Sequence, residues 1–191
     1  TFRAATQITE ILARVKSYIS GREEDRHVEL VSLNDLVEGA VFLAKERGEE
    51  KSVQVDFRRS ETNYSIYCDP VGVRSQLLGN ILMNAVKFSP PHSKVAVRLM
   101  EHGLDQVAVE ISDEGDGIPA DVLKDLETKS QVHSKVGTSG EQGTGFGLTI
   151  AFQTAAAMGA QIKIETQRKD EAQQASGTTF TVAFLRPKAE S

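Results

Sequence analysis

Asn80, Asn84 and Lys87 are spaced by about one helical turn. At about 100° per residue they fall within about 60° of one another on one helix edge. Leu77, Leu78, Ile81, Leu82, Ala85, Val86 and Phe88 occupy most of the remaining circumference. A solvated face would also be polar, but such faces favour Glu, Lys, Gln and Arg, whereas asparagine is a poor helix former. Two asparagines one turn apart offer neutral oxygen ligands or amide donors. A hard cation such as Mg²⁺ takes oxygen ligands while sharing its shell with phosphate and water, and Lys87 is placed to neutralise phosphate.

Two glycine-rich segments extend this chemistry. Asp113-Glu-Gly115-Asp-Gly117-Ile118-Pro119 follows an alternating strand pattern. It reads as an Asp/Gly turn, or as a carboxylate that accepts an exocyclic amine such as that of adenine, with Gly115 and Gly117 letting backbone approach the ring. The G-x-G-x-x-A match over 115–120 lacks the second strand and acidic residue of a dinucleotide fold, because residues near 137 are polar loop. Gly143-Thr144-Gly145-Phe146-Gly147-Leu148 runs directly into a helical pattern. Glycines ahead of a helix N-terminus leave N–H groups free to cradle phosphate. No Gly-Lys-Ser/Thr follows, which excludes a P-loop, and the polar stretch before it has the character of a mobile lid.

The elements that must position these residues are legible as periods. Ile8, Ile11, Leu12, Val15, Tyr18 and Ile19 make an amphipathic stripe ending at Gly21, and 22–27 reads as a charged linker. A strand is predicted over 28–31, and Ser32 with Asp35 suggests a capping box opening a helix to about Arg47. Strands follow at 52–58 and around Tyr64, Ile66 and Cys68. Asp69-Pro70 opens the helix that carries the asparagines through Phe88. Val95, Val97, Leu99 and Val107, Val109, Ile111 form a hairpin around Gly103. A short helix is predicted over 119–126 and another over 143–158, capped by Gly159. Strands around Ile162 and Ile164 and around Phe180, Val182 and Phe184 close the chain. This mixture predicts an α+β two-layer sandwich, a mixed, mainly antiparallel sheet with helices on one face.

Composition sets outer bounds. The 191 residues are 39% hydrophobic, with 22 Lys+Arg against 27 Asp+Glu, for a net charge of -5. That acidic balance disfavours nonspecific nucleic-acid binding. The one cysteine, Cys68, cannot close an internal disulfide, which fits a reducing, cytoplasmic compartment. No apolar run reaches the roughly 18 residues of a membrane helix. The opening Thr1 reads as part of a longer protein, whose parent can still be membrane-anchored.

Together with Gly177-Thr178-Thr179-Phe180, the three segments resemble, in order and wording, the GHKL (Bergerat-fold) ATPases, and within them the catalytic and ATP-binding domain of sensor histidine kinases. Gln76 to Ser89 is similar to the N box, Asp113 to Ile118 to the first glycine box, and Gly143 to Leu148 to the second. The resemblance spans roughly 28–185. It implies ATP and Mg²⁺ as ligands, with Asn84 on the metal, Asn80 supporting it and Lys87 on phosphate. Asp113 would read the adenine amino group in a pocket shaped by Gly115, Gly117 and Ile118. Gly143, Thr144, Gly145, Phe146, Gly147 and Leu148 would close the phosphate side, with Thr178 lining the pocket. Relatives that hydrolyse ATP place a glutamate where Asn80 stands, so its absence fits a kinase that spares ATP from water.

The same resemblance makes 1–21 the end of a dimerisation helix and 28–191 the catalytic domain. It implies transfer of the γ-phosphate to a histidine on the dimerisation domain of a homodimeric parent, then to the receiver domain of a response regulator. His27, His92, His102 and His133 lack the phosphoacceptor context and read as surface residues, so this chain is expected to bind ATP without phosphorylating itself. Leu126 stands where the family carries a phenylalanine-rich box. The alternatives are a degenerate GHKL docking or inhibitory module and a serine kinase of the anti-sigma-factor type.

Overall fold

The structure is a computed structural model that describes residues 27–129, 146–168 and 176–187. The expected dimerisation-helix tail, all but the last residue of the linker, Gly143, Thr144, Gly145 and His133 lie outside those residues. Within them, β1 (Glu29–Ser32) leads into α1 (Leu33–Lys51), β2 (Gln54–Phe57) and β3 (Ser65–Cys68). A π-helical segment (Gly72–Leu78) then continues into α2 (Gly79–Phe88). The hairpin β4 (Lys94–His102) and β5 (Gln106–Asp113) precedes α3 (Ala120–Lys129), α4 (Phe146–Ala157), β6 (Gln161–Gln167) and β7 (Gly177–Leu185).

The main sheet has five strands in the order β2-β4-β5-β7-β6, and β1 pairs with β3 in a separate two-stranded sheet. Among the described residues only β2 and β4 run parallel; the other neighbours in both sheets are antiparallel. The parallel pair is possible because the chain crosses over between them through β3 and the helix that bears the asparagines. Helices α1, α2 and α4 bury Leu33, Leu36, Val37, Ile81, Leu82, Val86, Ala151 and Ala155 together with the inward residues of β4, β5 and β7. The opposite face carries a polar row, Arg98, Glu110, Thr181 and Lys163, so the fold is the expected two-layer α+β sandwich.

Register shows how the inner face is composed. One row across β4, β5, β7 and β6 is Leu99, Val109, Val182, Ile162, and the next is Val97, Ile111, Phe180, Ile164. The row after that is Val95, Asp113, Thr178, Thr166. Side chains two residues apart on a strand share a face. Asp113 and the two threonines therefore sit where the alternation would continue the core, and a polar strip ends an otherwise apolar surface.

Several predicted details are corrected. The Ser32–Asp35 capping box does not form: Ser32 makes no side-chain cap bond, and its Oγ donates to Asn63 Oδ1 at 3.1 Å. Asp35 instead meets Arg59 at 2.8 Å, and the Leu33 N–H is satisfied by Tyr64 O at 2.8 Å. Long-range partners thus replace the local cap. Helix α1 also runs to Lys51, beyond Arg47, and stops where Ser52 turns left-handed at φ 59°. The helix predicted from Asp69 is continuous, but its Gly72–Leu78 portion is π-helical, with the Gly79 N–H donating to Arg74 O. Apolar spacing does not distinguish that wider turn from an α-turn, since Val73, Leu77 and Leu78 reach the core in either. Asp69 Oδ1 accepts the Val71 N–H at 3.0 Å, as its cap position predicts.

Candidate functional site

Helix α2 is the axis of the site. Asn80 Nδ2 donates to Gln76 O at 2.6 Å, so the amide nitrogen is engaged by its own helix. Its Oδ1 faces α4, where a Cβ built on Gly147 would lie 3.3 Å from Asn80 Oδ1 and 3.6 Å from Asn84 Nδ2. The N-terminus of α4 therefore abuts the asparagine edge. A second tie comes from Gln76, whose Oε1 accepts the hydroxyl of Thr154 on α4 at 3.3 Å. Thr149, on the first turns of α4, is buried, and its hydroxyl has no hydrogen-bond partner among the described residues.

The far end of α2 is closely capped. Ser89 donates both its N–H and its hydroxyl to Ala85 O, at 3.1 and 2.7 Å. Lys51, the last residue of α1, reaches Val86 O at 3.3 Å and also bonds Lys87 O. A cation at these carbonyls suits the negative end of the helix dipole. This fixes the backbone of Lys87, whose ammonium lies 4.9 Å from the Phe88 ring centroid.

The next carbonyl, Phe88 O, meets the first glycine segment. A Cβ on Gly115 would be 2.8 Å from Phe88 O and 2.8 Å from Asp113 Oδ1, so only glycine fits between helix and carboxylate. Asp113 Oδ1 accepts the N–H groups of Gly115 at 2.9 Å and Thr178 at 3.1 Å. With that oxygen committed, Oδ2 is the one available to a ligand. Burial raises the carboxyl to about 6, against the smaller lowering effect of those two backbone bonds. Ile118 packs its side chain on the core, while its N–H donates to Thr166 Oγ1 at 2.7 Å.

Of the second glycine segment, Phe146, Gly147 and Leu148 are described. Leu148 packs against the core, and Phe146 opens α4 with its side chain exposed. His27, His92 and His102 are exposed as expected, and Leu126 is buried. Thr166, Lys51, Gln76 and Thr149 belong to the same neighbourhood although the motifs do not assign them a role. Parity identifies Thr166, since it lies two and four residues beyond Ile164 and Ile162; nothing local marks Lys51.

Gly147→Ala tests the contact between α4 and the asparagines. Alanine should raise helix stability by up to about 1 kcal/mol while crowding Asn80, so the ligand-free melting temperature should hold or rise as Mg·nucleotide affinity falls about tenfold. Unchanged affinity would show that the close approach has no bearing on the ligand.

The arrangement thus sets a half-buried carboxylate at one end of α2, and the amides of Asn80 and Asn84 beside the N-terminus of α4 along its length. Residues 68–189 match the family described as histidine kinase-, DNA gyrase B-, and HSP90-like ATPase, and the chain belongs to that family. It is 27% identical over 173 residues to the sensor histidine kinase ZraS of Salmonella typhimurium, covering 90% of this chain and 34% of ZraS. It is 34% identical over 113 residues to the aerobic respiration control sensor protein ArcB of Escherichia coli, covering 59% of this chain and 14% of ArcB. The chain thus spans about a third or less of these curated relatives.

Among solved structures, the mycobacterial sensor histidine kinase MprB superposes with a TM-score of 0.65 at 25% identity, covering 84% of this chain and 99% of that one. The Acinetobacter baumannii histidine kinase AdeS gives 0.68 at 20% identity, covering 98% and 84%, which supports the fold. No helix among the described residues is long and apolar enough to cross a membrane.

Proposed function

We propose that this chain is the ATP-binding catalytic domain of a sensor histidine kinase, presenting the γ-phosphate of Mg·ATP to a histidine supplied from outside residues 27–187. The observation that carries the reading is Asp113: a half-buried carboxylate on the apolar sheet face, with Oδ1 locked by two N–H groups and Oδ2 left for the adenine amino group. The family supports ATP as the ligand.

The protein's share of phosphoryl transfer is positioning and charge neutralisation. Asp113 and Thr178 orient the base; Lys87 would supply the positive charge for phosphate. Among the described residues no group of three or more His, Cys, Asp or Glu side chains could hold a metal by itself. The neutral oxygens of Asn84 and Asn80 fit an ion that takes its remaining ligands from phosphate and water, which is the habit of Mg²⁺. Bound there, Mg²⁺ would neutralise charge on the phosphates. The imidazole nitrogen attacks the γ-phosphorus, the bridging P–O bond breaks, ADP leaves, and the imidazole proton passes to a base beside the acceptor. Asn80, with its nitrogen donating to Gln76 O, provides no base to activate water in place of the imidazole.

By this reading the acceptor histidine lies on a dimerisation domain of a homodimeric parent, and the receiver domain of a response regulator takes the phosphate onward. Calorimetric titration with a non-hydrolysable ATP analogue should show binding strengthened by Mg²⁺, and a separately supplied dimerisation domain should be labelled on histidine. Label on serine would favour a serine kinase instead, and no binding at millimolar nucleotide would end the proposal. Asn84→Ala should reduce the Mg²⁺ enhancement of affinity about tenfold while leaving metal-free ADP binding in place. An unaltered metal titration would remove Asn84 from the site.

A further inference from the structure

Thr166 lies outside all four sequence motifs, yet it is the outermost member of the polar row that contains Asp113 and Thr178. Its hydroxyl has three neighbours from separate segments. Oγ1 accepts the Ile118 N–H at 2.7 Å, lies 3.2 Å from Thr178 Oγ1 and 3.3 Å from Gly177 O. The site is tight: a Cβ on Gly177 would be 2.1 Å from the backbone carbonyl oxygen of Asp113, so the start of β7 lies against the end of β5 with no room for a side chain.

A hydroxyl has one proton to give and two lone pairs to receive with. The Ile118 N–H occupies one lone pair of Thr166, leaving two arrangements for the rest. In the first, Thr166 donates to Gly177 O and Thr178 donates to Thr166. In the second, Thr166 donates to Thr178, which turns its own proton into the pocket. The second arrangement sets a donor beside the free acceptor of Asp113. An adenine edge, amino donor next to ring-nitrogen acceptor, is complementary to that pair. A guanine edge, carbonyl acceptor next to N–H donor, opposes both.

We propose that Thr166 is a positioning residue for base recognition: by holding the Ile118 N–H and giving its proton to Thr178, it orients the Thr178 hydroxyl as a donor toward a 6-aminopurine. This rests on the adenine site proposed above. Thr166 does not touch the base; it sets the direction of the hydroxyl that does.

The test is the ratio of ADP to GDP affinity, measured by calorimetry on the full chain for wild type, Thr166→Val, Thr166→Ser and Asp113→Asn, with a nucleotide-free melt for each. Valine removes the hydroxyl and frees the Thr178 rotor, so ADP affinity should fall about tenfold with GDP affinity little changed, and the ratio should fall with it. Serine keeps the hydroxyl and should restore the ratio to within about twofold. Should the valine variant fail to fold, Thr166→Ala removes the same group and reads the same ratio. A purely structural threonine would lower both affinities together, and an unchanged ratio overturns the proposal while the Asp113→Asn loss still stands. If Asp113→Asn leaves ADP binding intact, the adenine site itself falls and the proposal falls with it.

Discussion

Asp113→Asn is expected to weaken ADP binding about 30-fold, roughly 2 kcal/mol, while leaving inorganic triphosphate binding unchanged. The reason is geometric. Two backbone N–H groups point at Oδ1, so asparagine must put its oxygen there and its NH₂ where Oδ2 was. A donor then opposes the adenine amino donor. The same substitution should stabilise the nucleotide-free protein. Partial burial raises the Asp113 carboxyl from 3.8 to about 6 in the folded state, so near pH 7 the fold carries an ionised, partly desolvated group at a cost of up to about 3 kcal/mol. Between those two values the folded state holds a proton the unfolded chain has released, and wild-type stability gains from acidification there. The advantage of Asp113→Asn, about 1–2 kcal/mol at pH 7.5 once the imperfect amide fit is discounted, should therefore shrink as pH falls through about 6 and vanish below about 4. ADP affinity of the wild type should fall over the same range, since a protonated acceptor is lost. Chemical denaturation and calorimetry across pH 4–8 read both; a variant less stable at every pH would contradict the buried-charge account.

The second large effect is expected at Gly117. Its φ is +76°, and an added Cβ would lie 2.4 Å from Gln167 O and 2.8 Å from the Gln167 carbonyl carbon. Gly103, in the β4–β5 turn, has φ +68° with open space around the same position. Both positions disfavour a side chain by about 1–2 kcal/mol through backbone conformation alone, so Gly103→Ala isolates that cost. Gly117→Ala adds a collision with backbone at the end of β6, where no flexible side chain can yield, and should lose about 3 kcal/mol or more in total. Because the neighbouring Ile118 N–H is tied to Thr166, displacement should also remove nucleotide binding. Urea unfolding of the two variants provides the comparison. Equal losses would mean that β6 gives way and the contact costs little.

The asparagine edge is legible in the sequence alone, because Asn80, Asn84 and Lys87 belong to α2, where the α-helical period holds. The inward direction of Asp113 is equally legible, since it follows Val107, Val109 and Ile111 in strict alternation. The Ser32–Asp35 box fails because both residues find partners in the chain leading to β3, and local spacing carries no information about those competitors. The π-helical turn leaves no mark in the sequence because apolar residues are available to the core under either period. Lys51 is equally silent because its partners, Val86 O and Lys87 O, are backbone atoms on another element.

What the sequence determined by itself is whatever depends on period and residue type: which face of each strand is buried, which helix edge is polar, where glycine admits a close approach, and the family those motifs mark. The tertiary structure decided which of these meet. Strand register set Asp113, Thr178 and Thr166 in one row from three strands, and lateral packing brought Gly147 to Asn80 and Gly115 to Phe88 O. Such contacts join residues far apart in the chain, and their formation depends on the free energy of the whole packed layer, which no local pattern encodes.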